Sequence, residues 1–181
     1  MEARMEDLPL GIVSKTVDGS YELRFERDLP HAPHQVWKVI SSQEGLARWL
    51  SEAAIELRPG GSFRLWGQCS VEGQVVEVKP HCLLSWTWPH PDHPLSEVRI
   101  SLTEPSDGRS HITLVQTGLP QQHLLDVATG WHTHLDALPG AVVGRATQFD
   151  IKRAAMHYRT YAKALSDYVR FPPISELPKV R

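Results

Sequence analysis

From Ala53 to Thr117 the chain alternates apolar and polar side chains with a period of two, interrupted only by short turn signals. No other feature constrains the fold as much. Strands that follow one another through tight turns pair antiparallel, so this stretch reads as a meander and not as a bundle or a parallel sheet with crossover helices. Ile55 and Leu57 lead into Pro59-Gly60-Gly61, and Phe63 and Leu65 resume the alternation, which predicts a hairpin. VEGQVVEVKP and HCLLSWTW form a second pair, with Leu84, Trp86 and Trp88 on one face and Leu83, Ser85 and Thr87 on the other. PHPDHPLS breaks the run. Glu97 to Thr103 then alternates through Val98, Ile100 and Leu102, EPSDGRS is a turn, and HITLVQT places Ile112 and Leu114 on one face.

The flanks carry other periods. Residues 1–19 mix charge with Pro9 and Gly11, end in the turn signal VDGS, and read as a loose lead-in. YELRFERDL sets Tyr21, Leu23 and Phe25 against Glu22, Arg24 and Glu26, the pattern of a half-buried strand. Pro33 suits a first helical position, with Val36, Trp37 and Ile40 on one face. Ser41, Ser42 and Glu44 cap a second short helix carrying Leu46, Trp49 and Leu50. Beyond Pro120, the 3-and-4 spacing of Leu124, Ala128, Trp131, Leu135 and Leu138 predicts a long helix that Pro139-Gly140 should kink or end. A further helix is expected from about Thr147 to Val169, its stripe being Ile151, Ala155, Tyr158, Ala162, Leu165 and Val169. The closing FPPISELPKVR reads as a tail without regular structure.

Composition narrows the partners. At 181 residues the chain can bury a core without metal or disulfide staples. A net charge of -2 with both signs interspersed leaves no electrostatic footprint for nucleic acid or an anionic membrane. The apolar runs fall short of the roughly 18 residues a membrane span requires. Cys69 and Cys82 lack CxxC spacing, and MEARMEDLPLGIVSK has no apolar signal core, so the expected compartment is the reducing cytoplasm.

Catalytic motifs are scarce. His90, Asp92 and His93 in HPDHP could converge on zinc with one ligand missing, but HExxH spacing is absent and the expected reading is a polar loop at the rim of the sheet. His132 and His134 are two apart on a helix, point to different sides and cannot chelate together. Neither cysteine sits in a nucleophile motif, and Ser85 lies mid-strand without a nucleophile elbow. Glu72, Glu77, Glu97 and Asp126 are the carboxylates nearest the central elements, and strand parity turns most of them to solvent. Gly60-Gly61 lacks phosphate-loop spacing. No catalytic residue, metal ligand or cofactor is assigned.

RFERDLPHAPHQVWKVISSQEGLARWL, LRPGGSFRLWG, GQVVEVKPHCLLSWTW and GWHTHLDAL occur in an order that resembles the Aha-type family, the activator of heat-shock-protein-90 ATPase homologues, in the START-like SRPBCC superfamily. The likeness covers roughly residues 20–143, between the lead-in 1–19 and a C-terminal helical extension and tail, 144–181. It implies an α+β helix-grip fold (START/Bet v-like): a curved antiparallel sheet around a long C-terminal helix, here with an extra C-terminal helix. A cavity between sheet and helix is part of that expectation, lined by Phe63, Leu65, Trp66, Leu84, Trp86, Trp88, Val98, Ile100, Trp131 and Leu135.

The first function implied is non-catalytic binding of a small, largely apolar ligand. The alternatives are an enzyme of cyclase, hydrolase or dehydratase type using a cavity His or carboxylate, and a chaperone-associated stress-response protein acting through its surface. Homodimerisation through the C-terminal helix is a further expectation.

Overall fold

The structure, a computed structural model, describes residues 9–67, 70–89, 95–146 and 149–167. Among these, eight strands form one antiparallel sheet: β1 (Ile12–Lys15), β2 (Tyr21–Leu29), β3 (Glu52–Ile55), β4 (Ser62–Trp66), β5 (Val71–Lys79), β6 (Leu83–Trp88), β7 (Ser96–Thr103) and β8 (Ser110–Leu119). Their spatial order is β1-β2-β8-β7-β6-β5-β4-β3, so the meander from β3 to β8 runs between neighbours and only β2 reaches across the chain to pair with β8. The lead-in is not wholly loose: residues 12–15 add β1 as an edge strand on β2.

Among the described residues there are also four helices, α1 (Pro33–Ile40), α2 (Gln43–Trp49), α3 (Leu124–Val142) and α4 (Ile151–Ala164), with a 3-10 turn at Gln121–His123 ahead of α3. Ser42 caps α2 by accepting the Gly45 backbone N–H at 3.1 Å, which satisfies one of the donors a helix start leaves open. The curved, unclosed sheet with α3 across it is the helix-grip arrangement, and α4 is the extra helix.

The alternation sets the faces of the sheet. Leu23, Gln116, Val98, Trp86 and Val75 lie side by side in one inner row, and Phe25, Leu114, Ile100 and Leu84 form the next. All nine are at most 1 % exposed and, Gln116 aside, belong to one hydrophobic core that includes Leu124, Leu125, Ala128, Trp131, Leu135 and Leu138 of α3. The outer face carries charge instead: Glu77 pairs with Arg99 at 2.9 Å and Lys79 at 2.7 Å. Gly73 of β5 is needed by close approach, because a Cβ there would stand 2.0 Å from the Thr87 carbonyl oxygen of β6.

Two helix expectations change. Pro139 does not end α3, which continues to Val142. Proline deletes one backbone donor and crowds the preceding turn, and here that falls near the end of a 19-residue helix, where few bonds remain to be lost. α4 spans Ile151–Ala164, shorter than expected, and buries Ala154 and Tyr161, with Leu165 just beyond its end. That face follows the expected stripe only in part: Leu165 is buried and Tyr158 and Ala162 pack against the core, but Ile151 is 53 % exposed, and the buried Ala154 and Tyr161 lie outside the stripe. Val169 and the closing tail lie outside the described residues.

Candidate functional site

The inner face of the sheet and α3 bring most of the expected lining residues together. Phe63, Leu65, Leu84, Trp86, Val98, Ile100, Trp131 and Leu135 are all buried in the common core, and Trp88 is half-buried against it. Trp86 stacks on Phe63 with ring centres 4.6 Å apart, and Trp131 meets Trp88 edge-on at 5.6 Å and Trp49 of α2 at 6.5 Å. Trp66 does not join them. It follows Leu65, so parity places it on the outer face, where it is 45 % exposed and its carbonyl accepts from the Ser51 hydroxyl.

This interior is not wholly apolar. Trp131 donates its indole N–H to Gln116 Oε1 at 2.6 Å, Gln116 Nε2 donates to Ser96 Oγ at 2.9 Å, and the Ser96 hydroxyl donates to the Thr117 carbonyl at 2.6 Å. The chain of bonds ties α3 to β8 and β7 and leaves none of its members wanting a partner. Trp86 differs: it is fully buried in the same inner row, two strands from Gln116, and its indole N–H has no acceptor among the described residues. A buried donor without a partner costs on the order of 1–3 kcal/mol, so it marks a position where a ligand atom would be welcome.

A second polar cluster lies on a neighbouring face of α3, between α4 and the inner face of β2. His132 and Asp136 stand one helical turn apart on α3, with their side chains 2 % exposed. Tyr161 of α4 is fully buried, its hydroxyl oxygen accepts the Gly11 N–H at 2.7 Å, and it lies 2.9 Å from His132 Nδ1. His157 of α4 stacks on His132 at 3.9 Å and places Nε2 2.8 Å from Asp136 Oδ2, while Arg153 approaches the same oxygen at 3.6 Å.

Burial, the neighbouring His157 and the Arg27 cation hold the His132 ring down to about 4, so it is neutral at ordinary pH. Arg27 is itself on the inner face of β2, only 6 % exposed, with Nη1 donating to the Glu26 carbonyl at 2.8 Å and Nε and Nη2 unpaired among the described residues. Its guanidinium lies 5.5 Å from the centre of the Phe25 ring.

Sequence reasoning placed none of Arg27, Asp136, His157 and Tyr161 in a site. Parity along YELRFERDL already sends Arg27 inward with Tyr21, Leu23 and Phe25, and the i,i+4 spacing of His132 and Asp136 shares a helix face. The residues singled out earlier fare otherwise. His134 lies 2.9 Å from the Trp49 carbonyl, Ser85 is buried on the outer face, and Glu72 and Asp126 are exposed. Cys82 is exposed, whereas Cys69 and the HPDHP histidines lie outside the described residues. Among the described residues no helix is long and apolar enough to cross a membrane.

Comparison with known proteins agrees with this architecture. No curated protein matches the chain. The crystal structure of CalU16 from Micromonospora echinospora is 22 % identical, with a TM-score of 0.69 over 83 % of this chain and 92 % of that one. A conserved protein of unknown function from Enterococcus faecalis, EF2215, gives a TM-score of 0.72 at 16 % identity over 88 % and 92 % of the two chains. DynU16, from the dynemicin biosynthetic locus, gives 0.63 at 19 % identity over 71 % of this chain and 50 % of that one. Residues 30–142, well over half of the chain, match the family described as Activator of Hsp90 ATPase homolog 1-like protein, and the chain belongs to that family.

Proposed function

We propose that the protein binds a small, largely apolar organic molecule that carries a hydrogen-bond acceptor, between the inner face of the sheet and α3. The family and its fold are consistent with ligand binding. The observation that carries the reading is the Trp86 indole N–H, fully buried in the inner row and without an acceptor among the described residues. A carbonyl or ether oxygen on the ligand would supply the missing partner. Phe63, Leu84, Val98 and Trp131 would supply apolar contact, at about 25 cal/mol per Å² removed from water, less the cost of association. Because these side chains are closed over one another, entry requires α3 to shift from the sheet, and the Trp131–Gln116 bond is the tie that such a shift stretches. DynU16's place in a biosynthetic locus supports a small organic molecule as the class of ligand.

Native mass spectrometry of the protein as purified, with denaturing extraction of any passenger, tests the reading directly. Titration with aryl ketones followed by tryptophan fluorescence extends it. The expected result is saturable binding that Trp86→Phe weakens by about five- to ten-fold, since that change removes the N–H and keeps an aromatic ring. No passenger and no saturable ketone binding, or equal affinity in Trp86→Phe, would overturn it.

A further inference from the structure

His132, Asp136 and His157 each offer a ligand atom, and these atoms all lie within 4.8 Å of one another. Two come from consecutive turns of α3 and the third from α4, the way facing helices build metal sites. The donor set of two imidazoles and one carboxylate suits zinc and similar transition ions, with a fourth position left for water. Asp136 Oδ1 supplies an independent sign, being buried without a hydrogen-bond partner among the described residues and 3.8 Å from His132 Nε2. Ligand bonds of about 2.0–2.1 Å in a tetrahedron set donor atoms roughly 3.3 Å apart, so this gap is close to one edge of such a site.

We propose that His132, Asp136 and His157 form a zinc-class metal site that clips the C-terminal helix α4 onto α3. Tyr161 orients the first ligand: its oxygen accepts the Gly11 N–H and lies 2.9 Å from His132 Nδ1, so with metal bound the Nδ1–H would donate to that oxygen and leave Nε2 as the metal donor. The two imidazole rings, now stacked at 3.9 Å and tilted by 18°, must splay to share an ion. His157, 15 % exposed, is the ring with room to turn. Two cations oppose the ion. Arg153 is 30 % exposed and can swing into water, whereas Arg27 is buried and stays, so the site is weaker than its donor set alone would make it. Only His132 and Asp136 fall within the family-matched residues 30–142; His157 belongs to the extension. The metal would therefore be a property of this chain's added helix.

The test uses the full chain stripped with chelator and titrated with zinc sulfate by calorimetry and with cobalt chloride by visible absorption. One ion per chain, intense tetrahedral cobalt bands and slower proteolysis in the segment between α3 and α4 are expected. His157→Ala should weaken zinc by at least about ten-fold, while Arg153→Met, by removing a competing cation, should tighten it. His90→Ala with His93→Ala should leave the binding unchanged. Absence of stoichiometric zinc and cobalt binding overturns the proposal, as does binding that survives His157→Ala or disappears with the His90 and His93 changes. Trp86 of β6 is not among the three proposed ligands, and none of these is named in the ligand reading, so failure of either reading leaves the other standing.

Discussion

Gln116 is the one amide in an inner row otherwise made of Leu23, Val98, Trp86 and Val75, and it holds α3 to the sheet through Trp131 while donating to Ser96. Gln116→Leu keeps the volume but strands the Trp131 N–H, so a loss of about 1–3 kcal/mol is expected in urea unfolding, most of it recovered by adding Trp131→Phe. Additive losses in the double variant would show that the bond is not what the amide contributes. At the sheet's edge, Asp18 accepts from the Thr16 hydroxyl at 2.5 Å, the Ser20 hydroxyl at 2.8 Å and the Ser20 N–H at 3.1 Å, which hold its carboxyl down to about 2. The folded value lies below the ordinary one, so the turn gains stability above the unfolded value and loses it as pH falls through about 2. Carboxyl-carbon NMR should find that midpoint, and Thr16→Ala with Ser20→Ala should return it toward the ordinary range. The same parity that makes the inner rows legible from sequence also sends Arg27 inward and Trp66 outward. Both were missed where residue type was weighed above position, because a strand face can hold a cation on an aromatic ring and leave an indole in water.

The elements themselves were largely legible, since strands, hairpins and the α2 cap follow from local pattern. Register is less so. Between Tyr21 and Leu23 the β2–β8 pairing shifts, and Gly118 sits in β8 at that shift with a φ of 68°. A Cβ at Gly118 would stand 2.8 Å from the Leu95 carbonyl oxygen. Gly118→Ala is therefore expected to cost roughly 1–3 kcal/mol in chemical unfolding, through both the left-handed backbone and the contact. An unchanged midpoint would mean that the strand re-registers freely. The face of α4 was legible only in part, since which side of a helix meets its neighbour depends on the connection between them, and periodicity alone fits more than one choice. Leu165 is buried and Tyr158 and Ala162 pack against the core as the pattern suggested, but Ala154 and Tyr161 face inward where it suggested Ile151 and Ala155. Tyr161→Phe tests this packing: without the hydroxyl, Gly11 loses its acceptor and His132 its partner, and a cost of about 1–3 kcal/mol is expected. Hydrogen exchange should quicken at the Gly11 amide before it does in β8.

For the whole molecule, the stretch that carries the family likeness and the unit that can fold are not the same length. Residues 30–142 omit β1 and β2, yet β2 pairs along nearly all of β8 and places Leu23 and Phe25 in the inner rows. A chain cut to 30–142 would leave β8 as an open edge and uncover the core beneath it, so it is expected to aggregate or stay unfolded in circular dichroism and size-exclusion chromatography. A chain ending at Arg145 keeps all eight described strands and, of the described helices, loses α4. It gives up the burial of Tyr161 and Leu165, about 1.5–3 kcal/mol for each, and the partners of His132 and Asp136. The uncovered His132 and Asp136 regain water, which offsets part of that loss. This shorter chain should fold with the same sheet signature and melt at a lower temperature than the full chain. Were it unfolded, α4 would be part of the folding unit and not a helix added to it; were its melting temperature unchanged, the contacts between α4 and α3 would contribute nothing net to stability.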